Sequence, residues 1–203
     1  MAYFYSVNKD VQHEIKIKRS RFICHLHYCE TLIAAKKFIH KISKECQTAN
    51  HNCWAYIVGD NGENVHSSDA GEPAGSAGKP MLNMLKKHET TNIVAVVTRY
   101  FGGVKLGIRG LIDAYGMAVD ETITQYPLIK LVNYRYYNTI IKYDFIEKFK
   151  YDISELSAKI YQIDYAAEID VIIMIEDIMA NELEIYLQEI SGKKKITYKC
   201  ITL

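Results

Sequence analysis

The sequence predicts an α+β protein of two domains, residues 1–129 and 130–203. Three observations carry this. The apolar pattern switches repeatedly between the two-residue period of strands and the 3.6-residue period of helices. It restarts after Pro127. The elements that follow take the order βαββαβ, which is the ferredoxin-like arrangement.

In the first domain, His13 to Glu30 alternates as strands do. Ile15 and Ile17 oppose Lys16 and Lys18, and Phe22, Cys24 and Leu26 form a second apolar face. Thr31 suits a helix cap, and Leu32, Ala35, Phe38, Ile39, Ile42 and Cys46 trace a helical stripe behind it. Cys53 to Val58 is apolar on both faces, as a central strand is. Gly59 to Gly78 has no apolar period and holds Gly59, Gly62, Gly71, Pro73 and Gly75, so a long irregular segment with a functional role is expected. A helix is expected over Pro80 to Lys87, with Pro80 at its first position and Met81, Leu82 and Leu85 inward. Ile93 to Thr98 reads as a buried strand, and Tyr100 to Gly107 as a second glycine-rich loop. Ile108 to Ile123 reads as a helix burying Ile108, Leu111, Ile112, Tyr115 and Val119.

In the second domain, Tyr134 to Tyr143 is an expected strand. Asp144-Phe145-Ile146-Glu147 resembles a capping box opening a helix to about Leu156. Strands follow at Lys159 to Tyr165 and Glu168 to Ile175. The helix Ile178 to Ser191 turns Leu183, Tyr186, Leu187 and Ile190 inward and closes at Gly192, and Ile196 to Ile201 is the last strand.

Composition narrows the function. With 49% hydrophobic and 24% charged residues, wholesale disorder is excluded. No apolar run spans a membrane and no segment reads as a signal peptide, so a soluble cytoplasmic protein is expected. The net charge of +1 hides an asymmetry: residues 1–129 hold 15 basic and 12 acidic residues, and residues 130–203 hold 10 and 12. All seven histidines lie in the first part. The five cysteines are odd in number and form no C-x-x-C pair, which fits a reducing compartment and no disulfide framework.

The segment Ser68 to Pro80 looks like a phosphate-binding loop but fails the Walker A test, because Pro73 stands where glycine is needed and Pro80 follows Lys79. A weaker reading survives. Gly78 and Lys79, after Gly75, open a helix whose free N–H groups favour an anion. The second loop, with Gly102 and Gly103, runs from Arg99 into another helix whose first turn holds Arg109. Lys79, Arg99, Lys105 and Arg109 are expected to neutralise phosphates, with Tyr100 and Phe101 stacking on unpaired bases. The same residues also fit a structural account, in which the glycines make tight turns, the aromatics are core and the cations are solvated.

These loops carry a resemblance to the YigZ/IMPACT family. It rests on His51-Asn52-Cys53-x-Ala55-Tyr56, on Ser68-Asp69-x-Gly71-Glu72-Pro73-x-Gly75-Ser76-Ala77-Gly78-Lys79-Pro80-Met81, on Val96 to Gly107, and on Gly110-Leu111-x-x-Ala114-Tyr115-Gly116. The resemblance implies an N-terminal ribosomal-protein-like β-α-β sandwich with helices on a mixed sheet. It implies a C-terminal domain similar to domain V of elongation factor G. It also implies nucleic-acid or ribosome association without established catalysis or cofactor. Eukaryotic members restrain a starvation-responsive initiation-factor kinase through an added RWD domain, which this chain has no room for. The sequence departs from the family pattern at Ala70, Arg109 and Asp113; the last two stand at i, i+4, where they can pair.

The resulting expectation is a cytoplasmic protein that binds RNA or the ribosome and modulates translation. Asp69, Glu72 and the glycines shape its loops. Two alternatives stand beside it: a hydrolase of a phosphorylated or peptide-like substrate using His51, Asp69 and Glu72, and a module that docks on a translation factor. Cys53 reads as a buried thiol rather than a nucleophile. His25, His27 and Cys29 share a strand face but lack a fourth ligand, so no metal is expected. Lys193, Lys194 and Lys195 fit a solvated helix end or a supporting ribosome contact.

Overall fold

The computed structural model describes residues 4–202. They fall into two compact units, the first ending at Leu131 and the second beginning at Val132.

The first unit contains β1 (Phe4–Ser6), β2 (Val11–Ile17), β3 (Ser20–Tyr28), α1 (Leu32–Glu45), β4 (His51–Val58), β5 (Asn64–Ser68), α2 (Gly78–Lys87), β6 (Ile93–Tyr100), α3 (Gly107–Gln125) and β7 (Ile129–Leu131). Its five-stranded sheet has the order β2-β3-β6-β4-β5, and β1 pairs with β7 separately. A β-α-β unit is present as β3-α1-β4, but β6 lies between its strands. Every pairing in the sheet is therefore antiparallel, where a mixed sheet was expected. Strand β6 sits at the centre, and its run from Ile93 to Arg99 is buried on both faces. One face packs Phe22, Cys53, Ala55 and Val97 against α2 and α3. The other packs Tyr56, Val58, Val94 and Val96 against Ala35, Phe38 and Ile42 of α1. The side-chain hydroxyl of Thr31 caps α1 by accepting from the Ala34 N–H at 3.1 Å.

Four local expectations change. The segment read as wholly irregular contains β5, an edge strand whose residues are exposed or half-buried, so no apolar face marks it. Helix α2 starts at Gly78, which puts Pro80 at its third position rather than its first. Helix α3 turns Ile108 and Ile112 to solvent, 61% and 39% exposed, and buries Leu111, Ala114, Tyr115 and Ala118. The small Ala114 and Ala118 let the helix lie close to the sheet, where the Tyr115 ring meets Phe22 edge-on at 5.2 Å. In the second unit, Phe145 holds the cap position of the first helix with its ring buried, and no side chain caps that helix, so Asp144 forms no capping box.

That second unit runs β8 (Tyr134–Ile141), α4 (Ile146–Glu155), β9 (Lys159–Tyr165), β10 (Ile169–Glu176), α5 (Ala180–Gly192) and β11 (Ile196–Ile201). The antiparallel order β11-β8-β10-β9 is the ferredoxin-like one. Phe149 and Ile153 of α4 and Leu183 and Leu187 of α5 pack on Ile141, Val171 and Ile173.

Candidate functional site

Asp69 follows the end of β5 and turns inward. Its carboxylate accepts the backbone N–H of Gly75 at 2.7 Å, and those of Ala77 and Gly78 at 2.9 Å each. The Ala77 and Gly78 amides at the start of α2, where an external anion was expected, are thus occupied by the protein's own carboxylate. Gly78 is needed here because a Cβ would sit 2.7 Å from the Ser68 nitrogen. Partial burial acts to raise the Asp69 pKa, but the three backbone donors outweigh it and hold the carboxyl below its ordinary range. Because the folded pKa is the depressed one, this contribution is present above the unfolded carboxylate range and is lost as pH falls through the folded pKa. Asp69→Asn should therefore cost about 1–2 kcal/mol at pH 7 and lose less of its stability than the parent on acidification below about pH 4. Urea unfolding at a series of pH values checks this.

Glu72 lies one turn further on and is buried, with its side chain 3% exposed. It accepts from the Arg99 guanidinium at 2.6 Å and from the Tyr115 hydroxyl at 2.8 Å. Arg99, expected to neutralise phosphate, is instead a core cation. Its side chain is 7% exposed, lies 5.4 Å from the Phe22 ring centre and 5.5 Å from that of Phe101, and its Nε has no hydrogen-bond partner among the described residues. Burial holds the Tyr115 hydroxyl well above its ordinary range, with the neighbouring thiol and carboxylate adding to the shift. Nearby, the Cys53 thiol donates to the Asp69 carbonyl at 2.9 Å, and burial pushes it up to about 12. Burial likewise pushes Cys24 and Cys29 to about 12. A thiol reagent at neutral pH should modify exposed Cys200 first and reach Cys24, Cys29 and Cys53 only on unfolding, which mass spectrometry of the labelled peptides checks.

The N-terminus of α3 is open. Leu106 holds its cap position, and among the described residues no side-chain cap bonds the helix start. A cleft of about 390 Å³ lies against it, lined by Asn50, His51, Phe101, Lys105 and Ile108, with Glu72 and Arg99 at its floor. His51 is fixed by a 3.0 Å contact from Nδ1 to the Ala70 carbonyl. A second groove, of about 630 Å³, runs between α2 and α3 past Lys79, Met84, Ile112 and Met117. Pro73 borders the first and Gly75 the second, so the Asp69 loop separates them. Lys105 borders the first opening and Lys79 the second, Arg109 is exposed in the first turn of α3, and among the described residues none of the three has an acidic partner. Arg109 and Asp113 do not pair, although their i, i+4 spacing allows it. Phe101 is 45% exposed, while Tyr100 is half-buried under the Arg21 guanidinium at 5.4 Å. Gly102 presses on the strand turn at Arg19, and Gly103 has open space around it.

Sequence reasoning missed Tyr115 as a partner of Glu72. It also missed Asn50, whose side-chain oxygen accepts the Phe101 N–H at 2.8 Å and sets the loop's entry. Isolated polar residues of this kind leave no periodic signal. Of His25, His27 and Cys29, the strand β3 carries the two histidines and Cys29 follows its end in the core under α1, while His27 stacks on Phe38 at 4.5 Å and contacts Asp10. Among the described residues no group of three or more His, Cys, Asp or Glu side chains is placed to hold a metal ion.

A two-unit α+β protein with inward carboxylates and outward cations at paired glycine loops is thus defined. Residues 18–123 match the Impact N-terminal domain. The chain is 37% identical over 191 residues to the IMPACT family member YvyE of Bacillus subtilis, covering 94% of this chain and 88% of that protein. It is 36% identical to the IMPACT family member YigZ of Escherichia coli, covering 75% of this chain and 76% of that one. A solved structure described as that of a hypothetical protein superposes over all of this chain and 98% of its own, with a TM-score of 0.64 and 30% identity. The chain belongs to the IMPACT family. No helix among the described residues is long and apolar enough to cross a membrane.

Proposed function

We propose that this IMPACT-family chain acts in the cytoplasm on translation, by binding RNA or the ribosome through the surface around the start of α3. One observation carries the reading: Asp69 and Glu72 of the first glycine loop are consumed internally, while Lys79, Lys105 and Arg109 are exposed and have no acidic partner among the described residues. A surface sorted in this way attracts a polyanion. Phe101 adds an exposed ring beside the cations. The hydrolase reading loses support from the same sorting. Asp69 accepts three backbone N–H groups, Glu72 serves Arg99 and Tyr115, and the Cys53 thiol stays protonated.

The test is RNA affinity across a salt series. Three contacts to a single strand give a log–log slope of roughly −2, at about −0.7 per contact. Removing Lys105 and Arg109 together should weaken binding across sequences and flatten the slope to about −0.7. A slope unchanged in that variant counts against this surface. Docking on a translation factor is favoured by the exposed Phe101, Val104, Ile108 and Ile112, and it would appear as salt-insensitive stoichiometric binding to one protein.

A further inference from the structure

On β4, successive side chains alternate between the sheet faces. Cys53, Ala55 and Ile57 face α3, while Trp54, Tyr56 and Val58 face α1. The second set meets His66 in a triangular cluster of rings. Trp54 and Tyr56 are parallel within 4° at 5.7 Å, and His66 of the edge strand β5 lies against both, at 5.4 Å and 6.1 Å. Trp54 is only partly buried and His66 is exposed, so the cluster opens to solvent at the sheet edge.

Helix α1 beside it is cationic. It carries Lys36, Lys37, Lys41 and Lys44 against a single acidic residue, Glu45. All four lysines are exposed, and none has an ion-pair partner among the described residues. Lys41 lies over the Phe38 ring, and Phe38 stacks on His27 of β3, so that flank of the helix faces β3. Helical spacing then puts Lys36 and His40 on the opposite flank, toward β4 and β5, with Lys37 and Lys44 on the outer side.

We propose that this face of the sheet binds single-stranded nucleic acid, an unpaired base packing on the Trp54 and His66 rings of this cluster while the α1 lysines take the phosphates. The charge of α1 selects a polyanion, and parallel rings at a solvent-open sheet edge select one with unpaired planar bases. The surface lies on the face of the sheet opposite α3. It shares a ligand class with the proposed function but none of its residues.

Trp54 is the only tryptophan in the chain, so its emission reports this site alone. The experiment titrates the full chain with a fluorescein-labelled oligouridylate, which does not fold on itself, and reads tryptophan emission and RNA anisotropy together. Quenching should track the anisotropy. In the Lys105→Ala, Arg109→Ala background, which weakens the α3 surface, Trp54→Ala should weaken the remaining binding about 5- to 100-fold, as loss of one stacked base does. Lys36→Glu with Lys37→Glu, a surface change that leaves the fold intact, should weaken it and flatten the salt slope by about 1.4. Lys105→Ala with Arg109→Ala should leave the quenching in place. Anisotropy that rises while Trp54 emission stays constant would overturn this proposal and leave the α3 surface standing. An unchanged salt slope in the Lys36/Lys37 variant, or no binding at low salt, would overturn it as well.

Discussion

Glu72→Ala should destabilise the first unit by about 3–5 kcal/mol. The substitution leaves the Arg99 guanidinium buried, charged and without its carboxylate, with a nitrogen already lacking a partner. It also strips the Tyr115 hydroxyl of its acceptor. The cost comes from breaking the pair, not from the pair's own net contribution. Replacing both partners, as in Glu72→Met with Arg99→Met, should therefore recover most of the loss. Urea unfolding of the parent, both single variants and the double variant forms the cycle. A loss under about 1 kcal/mol for Glu72→Ala would mean that the pair is solvated and that Arg99 is available at the surface after all.

Gly102→Ala has the next largest expected effect, at least about 2–3 kcal/mol. A Cβ at Gly102 would fall 1.9 Å from the Arg19 carbonyl oxygen and 2.1 Å from its carbon. Those are backbone atoms of the β2–β3 turn, where Arg19 itself has a positive φ of 69°, so the neighbour cannot swing aside. The loop between β6 and α3 must lift, taking Phe101 and Lys105 with it. Gly103→Ala next door makes the contrast. No atom lies within 4 Å, and only its φ of 85° is unfavourable, a cost of about 1–2 kcal/mol. Thermal unfolding of the two variants ranks them, and a Gly102 variant as stable as the Gly103 one contradicts the close approach.

The parts of the fold that were legible share a physical cause. Strand β6 must be apolar on both sides because helices cover both, and α1 must carry a stripe because one side only is covered. The ferredoxin-like order of the second unit followed from six such patterns in succession. Strand β5 was illegible for the complementary reason, since an exposed edge needs backbone partners and no apolar face. Ile108 and Ile112 misled because α3 is held by small residues and by Tyr115 rather than by its largest aliphatic side chains. At the site, the alternation Ala95, Val97, Arg99 already set Arg99 on the face toward α3, and its outward role came from charge alone. The inward turn of Asp69 depends on three backbone amides within nine residues, a geometry that no residue pattern states.

The central claim is that outward cations without partners meet a polyanion of the translation machinery. Its most direct test is co-sedimentation of the purified chain with ribosomes and with bare RNA across a salt series, beside the Lys105→Ala, Arg109→Ala variant. The chain should pellet with ribosomes at low salt and wash off as salt rises, and the variant should release at lower salt than the parent. Parent and variant releasing together over the whole series, or neither pelleting at the lowest salt, would contradict it.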